Sequence, residues 1–214
     1  MRVISMIATC GALLAAQSAL AANLIGNGSF EQPVIPAGSS QNDPNNILIP
    51  NWVAVNSDIF ANNYNGTTAT AFEGNQYLDL VGFSPSGSIA QTFATVAGQT
   101  YTLTFGYSNN AFGGPNSRSA EVRIGSNLLD IITHSTATAN NLNWSIYTTN
   151  FVASDALTKL SFIGSGDGNA GILLDAVSVN AVPEPATWGM MILGIGAVGA
   201  VLRRRRQTVR YGFA

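Results

Sequence analysis

The chain has 214 residues, of which 46 % are hydrophobic and only 9 % charged, with one histidine, one cysteine and a formal net charge of -2. A multi-histidine zinc centre is excluded, and a nucleophile working with a histidine base would rest entirely on His134. Six of the nine basic residues sit near the two ends, so residues 22–182 hold three basic residues against ten acidic ones; this net -7 repels nucleic-acid phosphates and leaves neutral glycans or calcium as fitting partners.

From the start, Arg2 is followed by an apolar run over residues 3–14 and then by small residues at Ala19 and Ala21. That order is a secretory signal, so residues 1–21 are expected to be removed by signal peptidase with cleavage after Ala21 or Ala22. Cys10 leaves with them, and the exported domain over residues 22–181 must stand without a disulfide.

Residues 23–180 alternate short β-branched and aromatic runs with Gly, Asn, Ser and Pro clusters, and no helical period persists. The pattern predicts an all-β fold with strands over 24–30, 51–56, 76–81, 88–95, 100–109, 118–124, 127–133, 143–153, 158–163 and 171–180. The clearest alternation sets Tyr101, Leu103, Phe105 and Tyr107 against Thr100, Thr102, Thr104 and Gly106, one face buried and one wet. Turns are expected at Gly125-Ser126 and over 96–99, where glycine takes positive φ at little cost. So many short strands favour a two-sheet sandwich or jelly roll.

Two loops, 32–50 and 57–74, are longer than such a fold needs, and long loops on rigid sheets collect binding sites. The loop aromatics Tyr64, Phe83 and Phe112, set among Asn, Ser and Gly, are the candidate platforms for a sugar ring, while Trp52 and Trp144 fall on strands and are assigned to the core. His134 is expected to be a solvated loop or strand-end residue. Asp175 interrupts the apolar run 172–179, and a buried carboxylate must be paired or coordinate a metal; the alternatives are a cap on a turn or a pair with Arg123 or Lys159. Glu31, Glu73, Asp79 and Asp167 are the carboxylates a glycosidase would need, although spacing brings no two of them to one cleft. No catalytic residue is therefore assigned.

Beyond the last strand the order of parts changes. Pro183-Glu184-Pro185 is a stiff extended tripeptide, Trp188 opens an uncharged apolar run over 188–202, and Arg203, Arg204, Arg205 and Arg206 close it. At about 1.5 Å per residue the run spans ~22 Å, short of a ~30 Å hydrocarbon core, so a transmembrane helix there requires local thinning. The arginines place residues 207–214 in the cytoplasm and everything before the helix outside.

Two resemblances rest on these residues. The pieces 23–31 (Asn23-Leu24-Ile25-Gly26-Asn27-Gly28-Ser29-Phe30-Glu31), 72–80, 87–93, 98–105 and 171–179 are similar, in order, to galactose-binding-like jelly rolls, which include many carbohydrate-binding modules; Ala176 stands where Asn or Asp is commoner. The resemblance implies a structural calcium ion that ties the termini together, held by Glu31 and Asp175, with Asn27 and Glu73 as further candidates. The tail over 182–206, with its motif at 183–188, resembles the PEP-CTERM sorting signal of Gram-negative bacteria in its Trp-containing variant, Gly189 replacing the commoner Ala. It implies an exosortase as partner, transient residence in the inner membrane and delivery to the cell envelope, outer surface or extracellular matrix. The resulting expectation is a non-catalytic module for extracellular polysaccharide; the alternatives are a structural, glycosylated envelope protein and a carboxylate glycosidase.

Overall fold

The computed structural model describes residues 22–41, 49–113, 117–165, 168–183 and 187–205. The signal-peptide residues with Ala19 and Ala21, together with Asp167, Glu184, Pro185 and Arg206, lie outside the described residues.

Eleven strands follow in chain order: β1 (Ser40–Gln41), β2 (Val53–Val55), β3 (Asp58–Ala61), β4 (Gln76–Asp79), β5 (Ser86–Ala94), β6 (Thr100–Asn109), β7 (Arg118–Ile124), β8 (Asn127–His134), β9 (Ser145–Val152), β10 (Leu157–Ser165) and β11 (Ile172–Ala181). They form two antiparallel sheets, ordered β1-β3-β4-β11-β6-β9 and β2-β5-β10-β7-β8. This is the expected sandwich of jelly-roll type. The alternation in β6 works as read: Tyr101, Leu103 and Phe105 are buried, and Phe105 meets Phe162 of the opposite sheet edge to face at 5.0 Å. Ile59, Leu78, Ile89, Val122, Leu160 and Leu174 fill the same inter-sheet core.

Gly125, at φ 58°, makes the tight β7–β8 turn. The 96–99 turn, with Gln99 donating to the Val96 carbonyl at 3.1 Å, carries the chain from one sheet to the other, because β5 and β6 lie in different sheets.

Two expectations change. Residues 24–30 are no strand: Asn27 and Phe30 take positive φ of 52° and 54°, and the segment folds as turns against β11. It is held there by Leu24 N–H donating to Val179 O and Val177 N–H donating to Gly28 O, each at 2.9 Å. The Gln91 amide adds a second clamp, donating to Gly26 O at 2.9 Å and accepting from Gly26 N–H at 2.8 Å. Second, the long loops contribute strands, β1 and β3, too short for a period-2 pattern to stand out. The tail forms a helix, α1 (Thr187–Arg205), on which Ile192, Leu193 and Ile195 are exposed. Among the described residues no helix is long and apolar enough to cross a membrane. The glycines and the closing arginines leave too short a continuous apolar stretch.

Candidate functional site

The outer face of the six-stranded sheet carries a second hydrophobic layer. Strand alternation turns Ile59 and Leu78 inward and leaves Phe60, Tyr77 and Leu173 pointing outward, where the segments around Ala69 and Leu142 cover them. Six rings touch in sequence there. Phe112 meets Tyr64 edge-on at 5.2 Å, and Tyr64 meets Phe60 at 4.6 Å. Phe60 stacks on Tyr77 at 5.8 Å, Tyr77 meets Trp144 at 5.8 Å, and Trp144 meets Phe72 at 6.2 Å. Phe60 and Tyr77 are buried, Tyr64, Phe112 and Trp144 half-buried, and Phe72 exposed.

The structure therefore brings Tyr64 and Phe112 together and leaves Phe83, exposed on the loop after β4, outside the string of rings. Trp52 is a core residue as expected, its indole donating to Asn27 O at 3.0 Å. Trp144, assigned to the core from its strand-like surroundings, stands just before β9 in the outer layer, with its indole N–H on Thr70 O at 2.9 Å. Sequence reading missed Phe60, Phe72, Tyr77 and Trp144 as neighbours of Tyr64. Only their outward register reveals it, and that needs β3 and β4 to be aligned.

At the edge of the same sheet lies a cleft of about 420 Å³ lined by Glu31, Val34, Ile35, Asn63, Asn75 and Gln76, among others. The Gln76 amide is fully used, donating to Phe30 O at 2.7 Å and Pro33 O at 2.9 Å and accepting from Ile35 N–H at 2.7 Å. Asn63 and Asn75 are exposed at the cleft.

The residues expected to hold calcium are engaged otherwise. Glu31 Oε1 accepts from the N–H groups of Asn75 at 2.6 Å and Gln76 at 2.9 Å. Asp175, with 0 % exposure, accepts from Glu73 N–H at 2.9 Å through Oδ2 and from Ala176 N–H at 2.6 Å through Oδ1. Burial pushes the Asp175 carboxyl up to about 8 against the opposing pull of those N–H groups. Glu73 accepts the Ser29 hydroxyl at 2.9 Å, and Asn27 closes its own turn by donating to Gln32 O at 2.7 Å and accepting from Gln32 N–H at 3.1 Å. Glu31 and Asp175 thus grip the main chain of 73–76 from two sides. Main-chain N–H groups thus address both carboxylates in this metal-free structure. Among the described residues no three His, Cys, Asp or Glu side chains gather to hold a metal. The termini are joined instead by the main-chain bonds between 24–28 and β11.

A bulge follows Asp175, and Ala176 there adopts φ 50°. That left-handed geometry is the physical reason Asn or Asp suits the position. Ala176→Asn is accordingly expected to stabilise the domain by about 0.5–1 kcal/mol, read as a rise in Tm; an unchanged or lower Tm would refute the strain.

His134 ends β8 as expected but is buried, not solvated. Its Nδ1 lies 2.7 Å from Asn109 Oδ1 and its Nε2 3.0 Å from Asn143 O, and burial lowers its pKa. Asp79, considered for hydrolysis, is wholly buried, its carboxylate accepting from Asn110 Nδ2 at 2.6 Å, Val81 N–H at 3.0 Å and Gly171 N–H at 3.1 Å.

Residues 23–180 match the family described as protein of unknown function (DUF642), and residues 181–206 match the PEP-CTERM protein-sorting motif. No protein of curated function matches the chain. Among solved structures, TmCBM61 in complex with β-1,4-galactotriose is similar at 15 % identity and a TM-score of 0.50, over 75 % of this chain and 99 % of that one, which shows the shared jelly-roll fold. A family 35 carbohydrate-binding module from Clostridium thermocellum is similar at 15 % identity and a TM-score of 0.45, over 60 % and 90 %.

Proposed function

We propose, from the premise that this chain belongs to the DUF642 family and ends in a PEP-CTERM sorting motif, that it is an exported surface protein whose jelly roll binds neutral extracellular polysaccharide. The observation that carries the reading is the string of rings with the half-buried edge Tyr64–Phe112, beside the exposed amide of Asn63. Ring edges and faces stack on sugar C–H groups, amides address hydroxyls, and the acidic domain disfavours anionic glycans. An exosortase would read Pro183-Glu184-Pro185 after signal peptidase has acted, delivering the domain to the envelope or matrix.

A second reading has its own support. Thr102 donates to Asn150 at 2.8 Å and Thr104 pairs with Thr148 at 3.3 Å, a hydroxyl ladder on the wet face of β6 and β9 that suits a structural, glycosylated surface.

The two readings separate in a pull-down of the mature domain on a panel of insoluble neutral polysaccharides. The double variant Tyr64→Ala/Phe112→Ala is expected to lose about 10- to 100-fold in affinity, the loss of two ring contacts of roughly 0.5–1.5 kcal/mol each, while Phe83→Ala binds as the wild type. Wild-type protein retained by no polysaccharide would leave the structural reading. For sorting, deleting residues 183–185 should leave the tail on the protein in intact-mass spectra of membrane fractions; a tail removed all the same would exclude that motif as the processing signal.

A further inference from the structure

Each sheet has two edges, and three of the four are blunted. β1 has two residues and β2 three, while β8 carries Asp130 and meets β7 through a register shift between Val122 and Arg123. The fourth edge, β9, has none of these defences. Its eight residues pair with β6 in unbroken register, from Thr100 against Val152 to Tyr107 against Ser145, and include no charged residue, no proline and no bulge. An open strand of that length is a ready template for another strand.

The free side of β9 can be read from its ladder. Ala153 N–H donates to Gln99 O at 3.0 Å and Ala153 O accepts from Gly98 N–H at 2.8 Å, so Ala153 and, by alternation, Phe151, Thr149 and Tyr147 turn their main-chain groups toward β6. The N–H and C=O groups of Ile146, Thr148, Asn150 and Val152 therefore face away from the sheet, and among the described residues no main-chain group meets them. The side chains of Ile146 and Val152 are exposed, at 62 % and 61 %. Around Thr149 the strand reads nearly alike in both directions: Thr148 mirrors Asn150, Tyr147 mirrors Phe151, Ile146 mirrors Val152 and Ser145 mirrors Ala153. Two antiparallel copies of β9 centred on Thr149 thus set like against like at every level. In that register the free groups of Ile146 and Thr148 bond those of Val152 and Asn150 in the other copy, and Ile146 packs beside Val152.

We propose that β9 is the docking edge for a second copy of this chain, which adds its own β9 across a two-fold axis at Thr149 and joins the two six-stranded sheets into one. The strand carries no charge within an acidic domain, so the two copies meet there without like-charge repulsion. Asp130 of β8 stands by the Tyr147 hydroxyl, on the inner side of the strand. The axis runs perpendicular to the joined sheet, so both ring strings lie on the same side of it. The dimer is independent of whether those rings bind sugar.

The test uses the chain from residue 22 onward, tail included, in a mild detergent; it contains no cysteine. In a non-hydrogen-bonded antiparallel pair the Cα atoms stand about 4.5 Å apart, within reach of a disulfide. Thr149→Cys is therefore expected to give a disulfide-linked dimer on non-reducing gels under mild oxidation, whereas Thr92→Cys, exposed on β5, stays monomeric. Adding Thr148→Pro to Thr149→Cys removes an N–H that points away from β6, so the strand keeps its ladder and the linked dimer is lost. Ile146→Lys, a change at an exposed side chain, should abolish the linkage as well, and Val152→Glu added to it should restore the dimer, since the register sets the two positions opposite each other. Thr149→Cys linking no faster than Thr92→Cys would overturn the proposal. So would a dimer that survives both Thr148→Pro and Ile146→Lys, which would place the contact on the tail helix or another face.

Discussion

Gly28→Ala is expected to lower stability by about 3 kcal/mol or more, near the upper end for a single substitution, with Tm falling by roughly 10 °C. A Cβ at Gly28 would overlap the carbonyl oxygen of Val177, which belongs to the main chain of β11 and has no rotamer to move out of the way. The segment has to come this close because Gly28 O accepts from Val177 N–H, so relieving the overlap means giving up the bond that seats the amino-terminal turns. The control is Gly98→Ala: Gly98 sits at φ 83° with nothing within 4 Å of an added Cβ, so only backbone strain of about 1 kcal/mol applies. Equal Tm losses for the two variants would show that the approach to β11 does not matter.

The second expectation is an inverted pH profile. Asp175, held at about 8, and Asp79, held at about 7, are both raised by burial above the ordinary carboxylate value of 3.8. An acid whose pKa is higher in the folded state than in the unfolded one keeps its proton longer when folded. Its stabilisation is complete below the unfolded value and is lost as pH rises toward the folded value. In metal-free buffer, stability should therefore fall between about pH 4 and pH 8, the opposite of ordinary acid denaturation. Each tenfold difference in proton affinity between the folded and unfolded chain is worth ~1.4 kcal/mol, so the loss across the window is at least ~2 kcal/mol, about 5 °C in Tm. The acid facing Asp175 is Glu73, whose negative charge adds to the rise. Asp175→Asn should flatten the upper part of the profile. A Tm that stays level or climbs from pH 4.5 to 8.5 would show that these carboxylates ionise without penalty.

Much of the architecture was legible in the chain. β6 and β7 fall on their expected residues, and β8 to β11 within two, because each is long enough for period-2 alternation or a bounded apolar run to dominate. The amino-terminal piece was not legible as structure. Its apolar residues Leu24, Ile25 and Phe30 suit a strand, but its shape is set by Asn27, Gly28 and the distant partners Gln91 and β11, which no local pattern reports. Asp175 shows the same limit. Its burial followed from the apolar run around it, yet its carboxylate accepts from the N–H of Glu73, a hundred residues earlier in the chain, which no local pattern reports. The aromatic layer was half visible: Tyr64 and Phe112 look like loop platforms, whereas the rings beneath them become neighbours only through the pairing of β3 with β4.

The position of β11 has a mechanical consequence. The strand lies inside its sheet between β4 and β6, and its pairing runs on to Val182, whose N–H donates to Thr100 O at 2.9 Å, one residue before Pro183. A pull through the carboxy end is therefore taken up by an interior strand, whose pairing runs to within one residue of Pro183. Drag from flow or a moving matrix would load the hydrogen bonds on both flanks in parallel, as shear, where a peripheral strand would peel open one bond at a time. Pulled from this end in a force spectrometer, the domain should yield abruptly at high load, and a gradual low-force extension would mean that the grip lies elsewhere.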